Sequence, residues 1–206
     1  MPLIRREPAK KMEPAGAVRQ SAAVLRSGDV HERWQAARSL AAEPQAAGIL
    51  GEALATEHDA RVREAIFTSL IRLGSDESVE AVIPHLRSDD SALRTAALDA
   101  LREMINTVRP RLPALLADPD PDIRLLCCDL VRELSAADAT DLLCGVLERD
   151  PEPNVCGAAI DVLAELGTPK ALPALQKCAA RYRDQGFLTF AIKLAAERIA
   201  CQDTSS

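Results

Sequence analysis

The stretch DPDPDIRLLCCDLVREL, residues 118–134, opens with alternating Asp and Pro and then sets two cysteines side by side in an apolar run. Its leading string, DPDIR at 120, recurs as DARVR at 59 and DSALR at 90, with DVHER at 29 and EPNVC at 152 as weaker copies. The apolar residue of each copy gives Glu32, Val62, Leu93, Ile123, Val155 and, by extension, Phe187, with steps of 30, 31, 30, 32 and 32 residues. A fixed period in this range is the signature of a stacked repeat.

The copies agree beyond the marker. Four residues on stand Ala36, Ile66, Ala97, Cys127, Ala159 and Ala191; five on stand Ala37, Phe67, Leu98, Cys128, Ile160 and Ile192; eight on stand Leu40, Leu70, Leu101, Val131, Leu163 and Ala195. Apolar residues at these offsets make one broad helix face. Cys127 and Cys128 therefore replace Ala and Leu-like residues in that face and read as small core residues, as buried free Cys does.

Each unit continues through a turn into a second helix. Gly74-Ser75-Asp76 and Gly167-Thr168-Pro169 carry the turn chemistry: Gly ends one helix, a hydroxyl or carboxylate caps the next, and Pro suits its first turn. Second helices are expected near 44–56, 77–87, 107–117, 138–149 and 169–182. Residues 15–26 match a second helix alone and residues 185–200 a first helix alone, the half-units that cap an open stack. Residues 1–14 and 201–206 are left as tails, the first of them basic and expected to be flexible.

Composition agrees. Apolar residues make up 48% of the 206, yet only five are aromatic, so the core must be Ala, Leu, Val and Ile, which suits closely packed helices. A net charge of -6 argues against a general nucleic-acid binder. No stretch is apolar enough for a signal peptide or a membrane span, so the expected compartment is the cytoplasm. The six cysteines show no C-x-x-C pair and no zinc-type spacing, and in a reducing compartment they read as free thiols. No metal, cofactor or catalytic set is expected.

The pattern Asp-x-x-Val-Arg-x-x-Ala-x-x-x-Leu, followed by a turn and a second helix, resembles the HEAT repeat family, closest to the short bacterial phycobilin-lyase-type HEAT-like repeat. The resemblance covers residues 15–200 and is specific at 59–63, 90–94 and 120–124. It implies an all-α, right-handed α-solenoid of about five stacked helix pairs plus terminal half-repeats, with second helices lining a concave face. The sequence departs from the pattern at Glu32, at Cys156, which replaces Arg, and at Leu188, which holds the Arg position of the last copy.

Two rows follow from the alignment. Asp29, Asp59, Asp90, Asp120, Glu152 and Asp184 precede the marker by three and are read as helix caps. Arg33, Arg63, Arg94 and Arg124 follow it by one and are read as partners in inter-repeat ion pairs. Related activities are tested residue by residue. The deoxyhypusine hydroxylase family carries His-Glu pairs in several repeats, whereas here His31-Glu32 is the one such pair among three histidines. The HEAT-like DNA glycosylases use aromatics on a basic face, which one Trp and one Tyr do not supply. Bilin or tetrapyrrole lyases remain the competing class, because the shared motif is structural. Cys156 is the thiol to watch, and an Arg-to-Cys replacement without function is its plainer reading.

The sequence is read as a non-catalytic scaffold binding a protein or peptide partner on its second helices. Glu80, His85, Arg109, Arg111, Asp141, Lys177 and Arg181 are the polar residues the core does not need. Trp34 stands where other copies carry Glu64, Thr95, Leu125, Gly157 and Thr189, and reads either as an exposed anchor or as a ring covered by the first helix or the N-terminal tail.

Overall fold

Asp29, Asp59, Asp90 and Asp120 hold extended backbone, and each carboxylate accepts backbone N–H groups from the next turn. Four helices thereby start at the same point of the repeat: α2 (Val30–Leu40), α4 (Ala60–Leu73), α6 (Ser91–Glu103) and α9 (Pro121–Leu130). At Asp29 the cap is reciprocal, with Glu32 bonding back to the Asp29 N–H at 2.8 Å. That explains Glu32 at a marker position: it serves the cap instead of the core. The computed structural model describes residues 14–203, so the basic segment 1–11 and residues 204–206 lie outside the described residues.

The cap row has two exceptions. Glu152 stands before α11 (Pro153–Leu166) without a side-chain cap bond, its chain being one methylene longer than Asp. Asp184 does not cap the last helix, which begins at Gly186 and runs through Asp203 as α13. Its register holds at Ile192 and Ala195, five and eight residues after the marker, but at the marker itself Leu188 is buried in place of Phe187. Leu188 (1% exposed), Ile192, Ala195 and Ile199 are buried, while Phe187 is 75% exposed.

The second helices are α1 (Pro14–Ser27), α3 (Ala47–Leu54), α5 (Asp76–Val82), α7 (Ile105–Val108) with α8 (Leu112–Leu115), α10 (Ala136–Arg149) and α12 (Leu172–Arg181). Prolines shape them. Pro44, Pro84, Pro110 and Pro169 sit in 3-10 turns that precede α3, follow α5, separate α7 from α8 and precede α12. A missing N–H and a ring that crowds the preceding turn break the α ladder there. α10 has no proline and runs uninterrupted from its Ser135 cap.

Two glycines are placed by need. Gly74 takes φ 58, the left-handed region, and closes α4. Gly167 does not: with φ -63 it ends α11 because a Cβ would stand 2.4 Å from the Leu163 carbonyl oxygen. Thr168 likewise makes no cap bond; its N–H donates to Thr140 Oγ1 of α10 at 3.0 Å.

The chain divides into two compact units, Met1–Ala81 and Val82–Ser206. In the first, α2 packs on α4 and α1 on α3. In the second, α6 packs on α9, α9 on α11 and α11 on α13, while α10 packs on α12. First helices thus stack on first helices and second on second. Between them lie the buried residues eight after each marker: Leu40, Leu70, Leu101, Val131, Leu163 and Ala195, none more than 1% exposed. Each buried Leu or Val contributes about 1.5–3 kcal/mol. Among the described residues every buried side-chain nitrogen or oxygen has a hydrogen-bond partner.

Cys127 and Cys128 are fully buried in the α9 face, and burial pushes both thiols up to about 12. Replacing Cys127 by Ala is expected to cost about 1–2 kcal/mol, since only a sulfur-sized void is opened. Replacing it by Asp, which buries an unpaired carboxylate, should abolish cooperative unfolding in a denaturant titration.

Candidate interaction surface

The joints between repeats are built by one recurring turn. Two residues before each cap stands an acceptor: Glu57, Ser88, Asp118 or Asp150. Its side chain takes the N–H of the cap residue, Asp59, Asp90, Asp120 or Glu152, at 2.9–3.2 Å. The carbonyls of this turn are then held by the repeat arginine. Arg63 bonds Glu57 O, Arg94 bonds Ser88 O, and Arg124 bonds Asp118 O and Pro119 O; Arg33 does the same to Gly28 O.

Two of these arginines also reach forward to the following joint. Arg33 clasps Glu57 at 2.8 and 3.0 Å, and Arg124 clasps Asp150 at 2.6 and 2.9 Å, both through two nitrogens. The inter-repeat pairing expected of the arginine row is present at Arg33 with Glu57 and at Arg124 with Asp150. Burial pulls the Glu57 and Asp150 carboxyls up. The arginine hydrogen bonds and the backbone N–H groups of the turn outweigh it and hold both below the ordinary carboxylate range.

On the first helices of the second unit a joined ladder runs Asp99, Arg102, Asp129, Arg132, Glu165. Each arginine in it touches two acids, and the arginines are about one-third exposed. The second helices differ. There Arg109 pairs with Asp138 at 2.7 Å, Asp141 with Lys170 at 2.6 Å and Glu148 with Lys177 at 3.0 Å. Each pair joins neighbouring second helices, and Lys170 and Lys177 are 71% and 70% exposed. Beside this row a groove of about 680 Å³ opens among Pro113, Leu116, Asp141, Leu142, Arg149 and Glu152.

Arg109, Asp141 and Lys177 thus lie in one row of the second unit, already paired. Arg111 folds back on its own helix, bonding Thr107 O at 3.2 Å. Arg181 turns to the joint, bonding Leu147 O at 2.8 Å and Glu148 O at 3.2 Å. His85 is half-buried in the 3-10 turn after α5, and Glu80 is exposed on α5. Trp34 is half-buried, with two neighbours from its own helix against the ring. His31 stacks on it at 6.1 Å, and Arg38 lies 4.7 Å from the ring centroid. The acceptor row Glu57, Ser88, Asp118, Asp150 was missed in the sequence; its period of about thirty residues was its signal.

Helix pairs stacked layer on layer through such joints define an α-helical repeat protein of the solenoid class. A profile of the HEAT repeats family matches residues 18–102 and 108–188, and the chain belongs to that family. No curated protein matches it in sequence. Solved structures similar to it include Cex1p, at 13% identity over 91% of this chain and 44% of that one, TM-score 0.53. Another is the archaeal HEAT-like repeats protein from Thermococcus onnurineus NA1, at 17% identity over 89% and 87%, TM-score 0.49. A third is the complex of CpcE and CpcF of phycocyanin lyase from Nostoc sp. PCC7120, at 17% identity over 96% and 100%, TM-score 0.37. At these identities the likeness concerns fold alone. Among the described residues no helix is long and apolar enough to cross a membrane.

Replacing Asp150 by Ala strands the Arg124 cation in a buried joint and should cost about 3–5 kcal/mol. Because the Glu57 and Asp150 carboxyls titrate below their unfolded values, their stabilisation is present above about pH 4 and lost as pH falls through the depressed folded values. Melting temperatures recorded from pH 7 down to pH 2 should therefore drop mainly below about pH 4. The drop should be shallower in the Asp150 variant.

Proposed function

We propose that the chain is a non-catalytic interaction module that binds a protein partner along its second helices. One observation carries this reading: the row of exposed ion pairs Arg109–Asp138, Asp141–Lys170 and Glu148–Lys177 runs beside an open groove. An exposed pair holds its charges together by about 1 kcal/mol or less, so a partner that offers its own carboxylates and cations exchanges with it at little cost. The first-helix ladder is a poorer docking surface, because every arginine in it would have to give up two acids at once. The fold supports a scaffold or interaction role, which HEAT repeats commonly serve.

Arg109 is the residue on which the reading is most easily tested, since Arg presents a planar, two-pronged donor and recurs at binding hot spots. Changing Arg109 and Arg111 together to Glu should leave the helical spectrum and melting temperature nearly unaltered. Affinity for a partner recovered by pull-down should fall by about 2–5 kcal/mol, as truncation of charges buried at a contact does. Unchanged affinity would move the site off this row.

A further inference from the structure

The core is closed by aliphatic side chains, yet α13 carries large apolar groups on its outside. Phe187, Phe190 and Leu194 are 75%, 68% and 37% exposed, and among the described residues they are the exposed large hydrophobics. Spaced three and four residues apart, they fall on one stripe of the helix. The other side of α13 buries Leu188, Ile192, Ala195 and Ile199, and the helix packs on α11 and α12. Phe187 stands at the edge of the stripe, where a Cβ on Gly157 of α11 would come within 3.8 Å of its ring, while Phe190 and Leu194 face outward. Single exposed apolar residues are ordinary, but three in a row on one helix face mark an interaction surface.

Two observations select the occupant. No other face of the described residues matches the stripe, so a head-to-tail contact would set Phe and Leu against polar surface and leave a further row open on each added copy. A second α13 offers the same apolar row, and a two-fold contact closes on itself. It also continues the stacking already present, in which α9 lies on α11 and α11 on α13. The second observation is charge. Lys193 and Glu197 stand one turn apart on the same flank of the stripe, 3.9 Å from each other. When two such helices run antiparallel about an axis between these residues, Lys193 of each copy faces Glu197 of the other. The flank is therefore complementary to itself.

We propose that the chain forms a two-fold dimer through antiparallel contact of its α13 helices, with Leu194 near the axis, a Phe190 to either side, and Lys193 paired with Glu197 across the rim. At roughly 150–250 Å² for a fully covered phenylalanine, the row offers each copy about 300–400 Å² of side chain. That is the small end of protein interfaces, so the dimer is weak and its population follows concentration. The contact is independent of the second-helix surface, which involves other helices.

Sedimentation velocity of the full chain tests this, in reducing buffer so that exposed Cys201 does not cross-link copies. As the concentration rises from micromolar toward millimolar, the mass should climb from one chain to two and stop there. Phe190→Glu should stay monomeric throughout and keep the helical spectrum and melting temperature of the dilute parent chain, because the side chain it replaces is 68% exposed. Lys193→Glu should lose the dimer, and Lys193→Glu combined with Glu197→Lys should recover it. Arg109→Glu with Arg111→Glu should leave dimerisation unchanged, which separates this contact from the second-helix surface. A chain that is monomeric at every concentration, a mass that passes two chains, a dimer indifferent to Phe190→Glu, or a charge swap that fails to restore it would each overturn the assignment.

Discussion

The joint between repeats is the constraint on which the rest of the structure depends. A stack of two-helix units has an interior face at every joint, and the loop crossing it carries backbone carbonyls that helices cannot satisfy. Here the acceptor two residues before each cap bends the loop, the cap starts the next first helix, and an arginine on that helix returns to hold the loop carbonyls. One residue type at one position thereby fixes both the start and the tilt of the unit. Where it also clasps Glu57 or Asp150, the charges are largely buried, and desolvation consumes much of the Coulombic gain. What the clasp contributes is register more than net stability.

How much of this was legible follows from what is local. The Asp caps, the apolar offsets and the second-helix turns are set by residues within a few positions of one another, so the period exposed them. In the last helix the period held at Ile192 and Ala195 but not at its marker. α13 buries a narrow seam, Leu188, Ile192, Ala195 and Ile199, against α11, α12 and the turn before α12, and leaves Phe187, Phe190 and Leu194 outside. The pairing of Asp141 with Lys170 and of Glu148 with Lys177 was not legible. Both partners stand 29 residues apart, and which side chains meet depends on how far one helix turns against the next. The sequence identified charged residues the core does not use; the packing decided whom they meet.

The two faces of the second unit show how the same charges serve different ends. Linked into a ladder, Asp99 through Glu165 restrain one another, and an incoming group must displace several bonds together. Divided into single exposed pairs, the second-helix charges stay solvated and exchangeable. Repeat proteins separate these roles without cost to the core, because each unit's interior is closed by small aliphatic residues whatever its outer rows carry.

The fifth joint carries that separation one step further. Where Cys156 stands in the arginine position, the loop carbonyls of Asp150 and Pro151 still need donors, as do the Leu147 and Glu148 carbonyls at the end of α10. Arg181 and Tyr182 take up those carbonyls from the neighbouring helix, and that relocation is what places a cation and a phenol against the Cys156 sulfur. One repeat earlier, Cys127 and Cys128 lie fully buried in the α9 face, where burial pushes both thiols up to about 12. Polar groups converge at the joints, while the stacked faces between them are closed by small aliphatic residues and buried thiols.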